Sequence, residues 1–123
     1  MDRAIKALFS DGTKEYRYPT EPKAGDTVRL RFRGLKDSIN EVWLCVNGER
    51  KQMQPERVDG YFVFYGAEYT LEETAVSYYY EVNLTNGHYY YDRRGVAYEP
   101  RDGYAFRMTP GFSVPEWAKG AVM

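Results

Sequence analysis

Val76-Ser-Tyr-Tyr-Tyr-Glu-Val-Asn-Leu84 is the stretch that decides the fold. Val76, Tyr78, Tyr80, Val82 and Leu84 fall on one side of an extended chain. Tyr79, Glu81 and Asn83 fall on the other. Side chains alternate across a strand at period 2, so the stretch spells a strand with one buried face. Thr27-Val-Arg-Leu-Arg-Phe-Arg33 repeats the pattern, with Val28, Leu30 and Phe32 against Arg29, Arg31 and Arg33. Ile39 to Val46 does so again, with Val42, Leu44 and Val46 inward and Trp43 and Cys45 opposite.

Outward from these, Tyr61 to Tyr65 is a short apolar strand between Asp59-Gly60 and Gly66. Thr85-Asn-Gly-His88 predicts a hairpin turn, because Asn-Gly accepts positive φ at both central positions. Tyr89-Tyr-Tyr91 is then the returning strand, and Asp92-Arg-Arg-Gly95 a further turn. Tyr104 to Met108 predicts a last strand and Ala4 to Phe9 a first. No long stretch carries a 3.6-residue period; Leu71 to Ala75 allows one helical turn at most. Short strands joined by Gly, Pro and Asn turns predict an all-β fold, an antiparallel immunoglobulin-like β-sandwich of about seven or eight strands.

The composition narrows the function classes. The chain has 123 residues, enough for one domain with its own core, and 17 basic against 18 acidic side chains. A net charge of −1 carries no basic footprint for nucleic acid. No run approaches the roughly 18–20 apolar residues that span a membrane. Met1 to Ser10 lacks the apolar core of a secretion signal. With Met1 as the native start this predicts a cytoplasmic protein; were Met1 to replace a removed leader, it would be secreted. Cys45 is the sole cysteine, so no internal disulfide forms.

Catalytic chemistry is poorly supplied. His88 is the only histidine and falls in a predicted turn, which reads as a solvated residue rather than a metal ligand. Cys45 reads as a small strand residue. Glu72-Glu73 are adjacent in a polar loop, where solvation is the default, whereas glycoside hydrolysis needs two carboxylates across a cleft. Asn83-Leu-Thr85 matches a glycosylation pattern at a strand end and is taken as chance. Arg29, Arg31 and Arg33 form a basic stripe whose simplest role is a solvated face that discourages edge pairing. No cofactor is implied, and no enzymatic activity is expected of this chain.

Aromatic residues are the unusual supply: 13 Tyr, 6 Phe and 2 Trp, 17% of the chain. Tyr suits half-buried sheet surfaces. The same ring stacks on the C–H face of a pyranose while nearby polar groups take the hydroxyls. Trp43 points away from the inferred core and wants cover: a sugar, another domain, a second protomer or a neighbouring loop. Tyr79 also points outward. Tyr89 and Tyr91 share one face of the next strand, with Tyr90 on the other. These rings form either a stacking platform or a ladder that supports the sheet.

The order of these motifs is similar to a known family. Val42-Trp-Leu, Asp59-Gly-Tyr-Phe-Val-Phe-Tyr65, Ser77-Tyr-Tyr-Tyr-Glu-Val82, Tyr90-Tyr91 and Arg94-Gly95 together resemble the family-34 carbohydrate-binding modules. These are the N-terminal β-sandwiches of neopullulanases, cyclomaltodextrinases and maltogenic amylases of the α-amylase family, glycoside hydrolase family 13. Tyr80 stands where that family often has Phe. Phe112-Ser-Val-Pro115-Glu-Trp117-Ala-Lys-Gly120-Ala-Val-Met123 resembles the linker and first strand leading into that family's catalytic barrel. The resemblance implies a module over residues 1–110, with 111–123 as linker and first residues of an absent barrel. It implies a non-catalytic starch- and maltooligosaccharide-binding module, and the rings singled out from the strand faces, Trp43, Tyr79, Tyr89 and Tyr91, with weaker candidates in Tyr61 and Tyr65, are its expected stacking residues for α-glucan. Its expected partners are α-glucan, the catalytic barrel in the same chain and a possible second copy. The alternative is a dimerisation domain that shapes a partner's active site and binds no sugar by itself.

Overall fold

The computed structural model describes residues 3–85, 87–101 and 103–110. A helical turn α1 (Arg3–Lys6) precedes strands β1 (Arg17–Tyr18), β2 (Thr27–Leu35), β3 (Ile39–Val46), β4 (Glu49–Gln52) and β5 (Gln54–Asp59). Then follow β6 (Phe62–Thr70), β7 (Val76–Leu84), β8 (Gly87–Asp92), β9 (Gly95–Ala97) and β10 (Phe106–Met108). Two antiparallel sheets face each other as a β-sandwich. One runs β1-β2-β6-β5; the other runs β4-β3-β7-β8-β9, with β10 also on β7.

The three long alternating stretches become the central strands β2, β3 and β7. Val28, Leu30 and Phe32 meet Val42, Leu44, Val46, Tyr78, Tyr80 and Val82 across the interior, all buried. Each such side chain contributes about 1.5–3 kcal/mol of apolar burial. Phe32 lies 4.9 Å from Tyr80 and 5.4 Å from Tyr91 between ring centroids. Tyr78 stacks on Phe106 at 5.2 Å.

A buried phenol needs a polar partner, and both central tyrosines have one. The Tyr80 hydroxyl lies 3.2 Å from the Ser10 hydroxyl, which itself donates to the Arg31 carbonyl at 2.6 Å. Arg17 Nη1 donates to the Tyr78 hydroxyl at 3.2 Å. Burial raises the pKa of both phenols, that of Tyr80 most strongly, so both stay neutral. The Tyr80 hydroxyl is thereby accommodated in the core by one serine.

Several expectations need correction. Ala4 to Phe9 is not a strand. Ala4, Ala7 and Leu8 are the buried positions there, an i, i+3, i+4 spacing that belongs to a helical turn. Only Phe9 is extended; it bridges Arg33 with N–O distances of 3.0 and 2.8 Å. The strands expected at 61–65 and 104–108 begin later, at Phe62 and Phe106. Ten strands are described rather than seven or eight. Four were missed: two are very short (β1, β9), and two (β4, β5) are exposed at every position. Strands with no buried face show no alternation to read.

The β4–β5 ribbon changes sheets. β4 pairs with β3, and β5 pairs with β6 in the opposite sheet. The single residue between them, Met53, is buried, and its N–H donates to the Val42 carbonyl at 2.8 Å. In β5 the register shifts between Pro55 and Arg57, which leaves Glu56 as an extra bulged residue. Bulges re-aim side chains. Here the Glu56 carboxylate lies over Gly66, where any Cβ would overlap it. It pairs with Arg29 and with Arg31, the latter at 3.1 Å, while Glu68 also pairs with Arg29 at 3.2 Å. The arginine stripe is therefore largely neutralised within its own sheet face.

The turn expected at Asn86-Gly87 falls only partly on the described residues. β7 and β8 pair from Leu84↔Gly87 to Tyr80↔Tyr91 on either side of it, and Asn86 lies outside the described residues. So do residues 111–123, including Pro115, Trp117 and Val122, on which the linker reading rests.

Tyr80→Phe should cost only about 0.5–1.5 kcal/mol, the usual value of one intramolecular hydrogen bond. Tyr80→Ala should cost about 3–5 kcal/mol, as for other large aromatic truncations in a packed core. Urea unfolding of the two variants checks this; equal losses would show that the hydroxyl, not the ring, holds this position.

Candidate functional site

The outer face of the six-stranded sheet is a grid set by register. Trp43 pairs with Gln52 on one side and Glu81 on the other, and Glu81 pairs with Tyr90. One row away, Cys45 lies between Arg50 and Tyr79. In the other direction Asn83 pairs with His88. All these side chains share one surface because paired residues of antiparallel strands point the same way.

Glu81 sits at the centre of the grid. Arg50 Nε and Nη2 donate to its two carboxylate oxygens at 3.1 and 3.0 Å. His88 Nε2 lies 3.0 Å from Oε2, and the Cys45 thiol 3.8 Å from Oε1. Asn83 turns the other way and donates to Glu41 at 3.1 Å. Burial, and then the negative charge of Glu81, push the Cys45 thiol up to about 11. Cys45 is thus a buried, protonated thiol and not a nucleophile.

An open groove of about 720 Å³ lies over this face. Its floor includes Tyr79, Tyr90 and Glu81. Arg50 and Asn47-Gly48 line it from the β3–β4 hairpin, and Pro100, Arg101 and Gly103 from the loop between β9 and β10. The Tyr79 and Tyr90 rings lie 6.1 Å apart with their planes inclined at 57°. His88 extends the row, 5.2 Å from Tyr90. Burial raises the pKa of both phenols, so each presents a neutral hydroxyl as donor and acceptor. Arg101 is anchored by Asp92 through Nε at 2.8 Å and Nη2 at 2.5 Å. That bond raises the arginine's pKa.

The sequence candidates divide. Tyr79 is half-buried and lines the groove, as its place opposite the core face requires. Trp43 is on the same face, but the Arg50 guanidinium lies 4.3 Å over its ring. Its cover is thus a side chain from the neighbouring strand. Tyr89 and Tyr91 are corrected: they are 9% and 8% exposed and belong to the core. Tyr89 is opposite Val82 and Tyr91 opposite Tyr80, both inward residues. The ladder reading of this tyrosine pair therefore holds, and the face was inverted. Tyr65 is corrected likewise. Its partner is Phe32, so it packs on the core from β6. Tyr61 is 82% exposed, but it lies by the β5–β6 turn in a separate cleft with Lys6, Leu35 and Phe62.

Tyr90, on the opposite face of β8 from Tyr89 and Tyr91, is the ring that joins Tyr79 in the groove. The inward assignment of Tyr80 fixes it, since Tyr91 faces Tyr80 and its neighbour Tyr90 must face out. Arg101 carried no signal in the sequence, because its loop has no periodicity. Among the described residues no three His, Cys, Asp or Glu side chains come together as a metal-binding group.

No protein-family model matches the sequence, and no curated protein matches it. Solved structures do. The fold is similar to part of a cyclomaltodextrinase, with TM-score 0.74 and 21% identity over 94% of this chain and 22% of that one. It is similar to part of a maltogenic amylase from S. marinus, with TM-score 0.70 and 15% identity over 91% of this chain and 16% of that one. A type III pullulan hydrolase from Thermococcus kodakarensis follows, with TM-score 0.59 and 16% identity over 89% and 18%. At such identities the likeness is one of fold. The chain spans less than a quarter of each of these proteins.

The site chemistry itself is open to a direct check. Cys45 in the native chain should react with iodoacetamide at pH 8 far more slowly than in urea-unfolded chain. The native thiol stays protonated while the unfolded one begins to ionise near pH 9. Native protein then binds the extra proton, so this residue's contribution to stability should fall between about pH 9 and pH 11. Equal alkylation rates would mean that the thiol is open to solvent.

Proposed function

We propose that this chain is a non-catalytic module of an α-amylase-family glycoside hydrolase. In this reading it binds starch-type α-glucan in the groove over the six-stranded sheet. The observation that carries the reading is the aromatic floor made by Tyr79 and Tyr90, set among fixed hydrogen-bonding groups. Two inclined rings 6.1 Å apart suit the slope between successive sugars of a curved α-glucan. Arg50 and Arg101 stand beside them as polar groups, Arg50 held by Glu81 and Arg101 by Asp92. Pockets that hold small ligands commonly combine apolar contact surface with a few placed polar groups. The fold likeness to parts of a cyclomaltodextrinase and a maltogenic amylase supports a role beside a barrel that acts on the same class of polymer. The motif order from Val42 to Gly95 supports the same family.

The binding mode then follows from the corrected faces. Tyr79 and Tyr90 supply stacking. Tyr89, Tyr91 and Tyr65 support the sheet from within. Trp43 contributes by holding Arg50, its ring being already covered. No step requires a metal or a cofactor.

Maltooligosaccharide titration of the chain should give a dissociation constant of roughly 0.1–1 mM, since few contacts must offset the cost of ordering and desolvation. Tyr90→Ala and Tyr79→Ala should each remove about 1–3 kcal/mol of binding, by analogy with flat bases stacked on aromatic rings, with little change in melting temperature. Tyr89→Ala should lower the melting temperature sharply. Calorimetry and thermal melts measure both effects. A stable dimer that never binds maltooligosaccharide would support the dimerisation role instead.

A further inference from the structure

Two guanidinium groups line the groove, and a carboxylate grips each of them. Arg50 is held by Glu81 and Arg101 by Asp92, both through Nε and Nη2. Such a fork uses two of the three guanidinium nitrogens and fixes the plane of the group. A ring backs each cation as well. Arg50 lies over Trp43 at 4.3 Å and Arg101 by Tyr104 at 5.5 Å.

Burial divides each pair in the same sense. The Glu81 and Asp92 side chains are 13% and 4% exposed, against 52% and 32% for their arginines. The anions are therefore inner anchors, and the fork leaves the Nη1 of each arginine outside it. A donor fixed in advance loses little freedom when a ligand arrives. Each pair also sums to zero charge. A groove lined this way offers firm donors without a net field that would gather anions. Neutral hydroxyl oxygens are the acceptors that match it.

Resting on the glucan reading above, we propose that Arg50 and Arg101 are the hydroxyl-reading residues of this groove, with Glu81 and Asp92 as their positioning residues, so that the site selects neutral polyols over anionic saccharides. Aromatic stacking by itself would not discriminate on charge. The tethered arginines do, because an added phosphate or carboxylate would have to compete with an anion already bound to each of them.

The test is calorimetric titration with methyl α-maltotrioside and its 2-deoxy and 3-deoxy analogues, at low and high salt. Wild-type affinity should change little with salt, and one deoxy analogue should bind at least about tenfold more weakly. Arg50→Ala should weaken binding of the parent trioside by a similar factor and lose the discrimination against that analogue. Glu81→Gln should do the same in smaller measure, which a purely structural role would not produce. Arg101→Lys keeps a charge on Asp92 and tests the second position without leaving a lone buried anion. Melting temperatures identify any variant whose fold has changed, and for these the deoxy series on wild type still decides. Absence of binding by the wild type overturns the glucan reading and this inference with it. Binding by the wild type that is indifferent to every deoxy change, or that is tighter for a phosphorylated trioside, overturns this inference alone.

Discussion

Both edges of β7 are taken, and from that constraint most of the rest follows. β3 runs along one edge; β8 and β10 share the other. A strand so enclosed cannot slide or rotate without breaking two ladders, so its period-2 alternation is locked. One set of side chains, led by Tyr78, Tyr80 and Val82, is committed to the interior. The other, Tyr79, Glu81 and Asn83, is committed to the outer surface, where neighbours arrive in fixed register. The core and the groove are two faces of one strand.

Register also makes the polar chemistry of the groove economical. Glu81 meets Arg50 from a strand two places away only because Trp43 and Cys45 of β3 hold the intervening row. The aromatic ring and the carboxylate act on the same guanidinium from different sides. Asp92 repeats this at the other end with Arg101 and Tyr104. Neither pair is a simple surface ion pair of the kind worth little to stability, since the acid in each is largely buried. Removing the arginine leaves a largely buried carboxylate with only part of its compensation, His88 beside Glu81 and the Arg94 N–H on Asp92, which is costly.

The fold was legible in the sequence wherever one face of a strand is buried. β2, β3 and β7 announced both their existence and their inward residues. β4 and β5 did not, because Glu49 to Gln52 and Gln54 to Asp59 have no buried face to alternate. The start of the chain misled because the 4, 7, 8 spacing is too brief to show as a helical period. In the site, alternation alone points Tyr79 outward, while for Tyr89 and Tyr91 it leaves platform and ladder both open. Three consecutive tyrosines look alike in either phase. Only their pairing with Tyr80 and Val82 distinguishes core from surface. Arg101 was beyond reach, since a loop without periodicity declares its contacts only in three dimensions.

The ribbon from Glu49 to Asp59 has a mechanical meaning. It is stitched to one sheet by β4 and to the other by β5, and one buried residue, Met53, makes the crossing. A single residue spans at most about 3.3–3.6 Å. Shear between the two layers would have to stretch that link or unzip one of its ladders. The sandwich is therefore cross-braced at this side, and a load applied along its strands would be resisted by covalent chain as well as by packing.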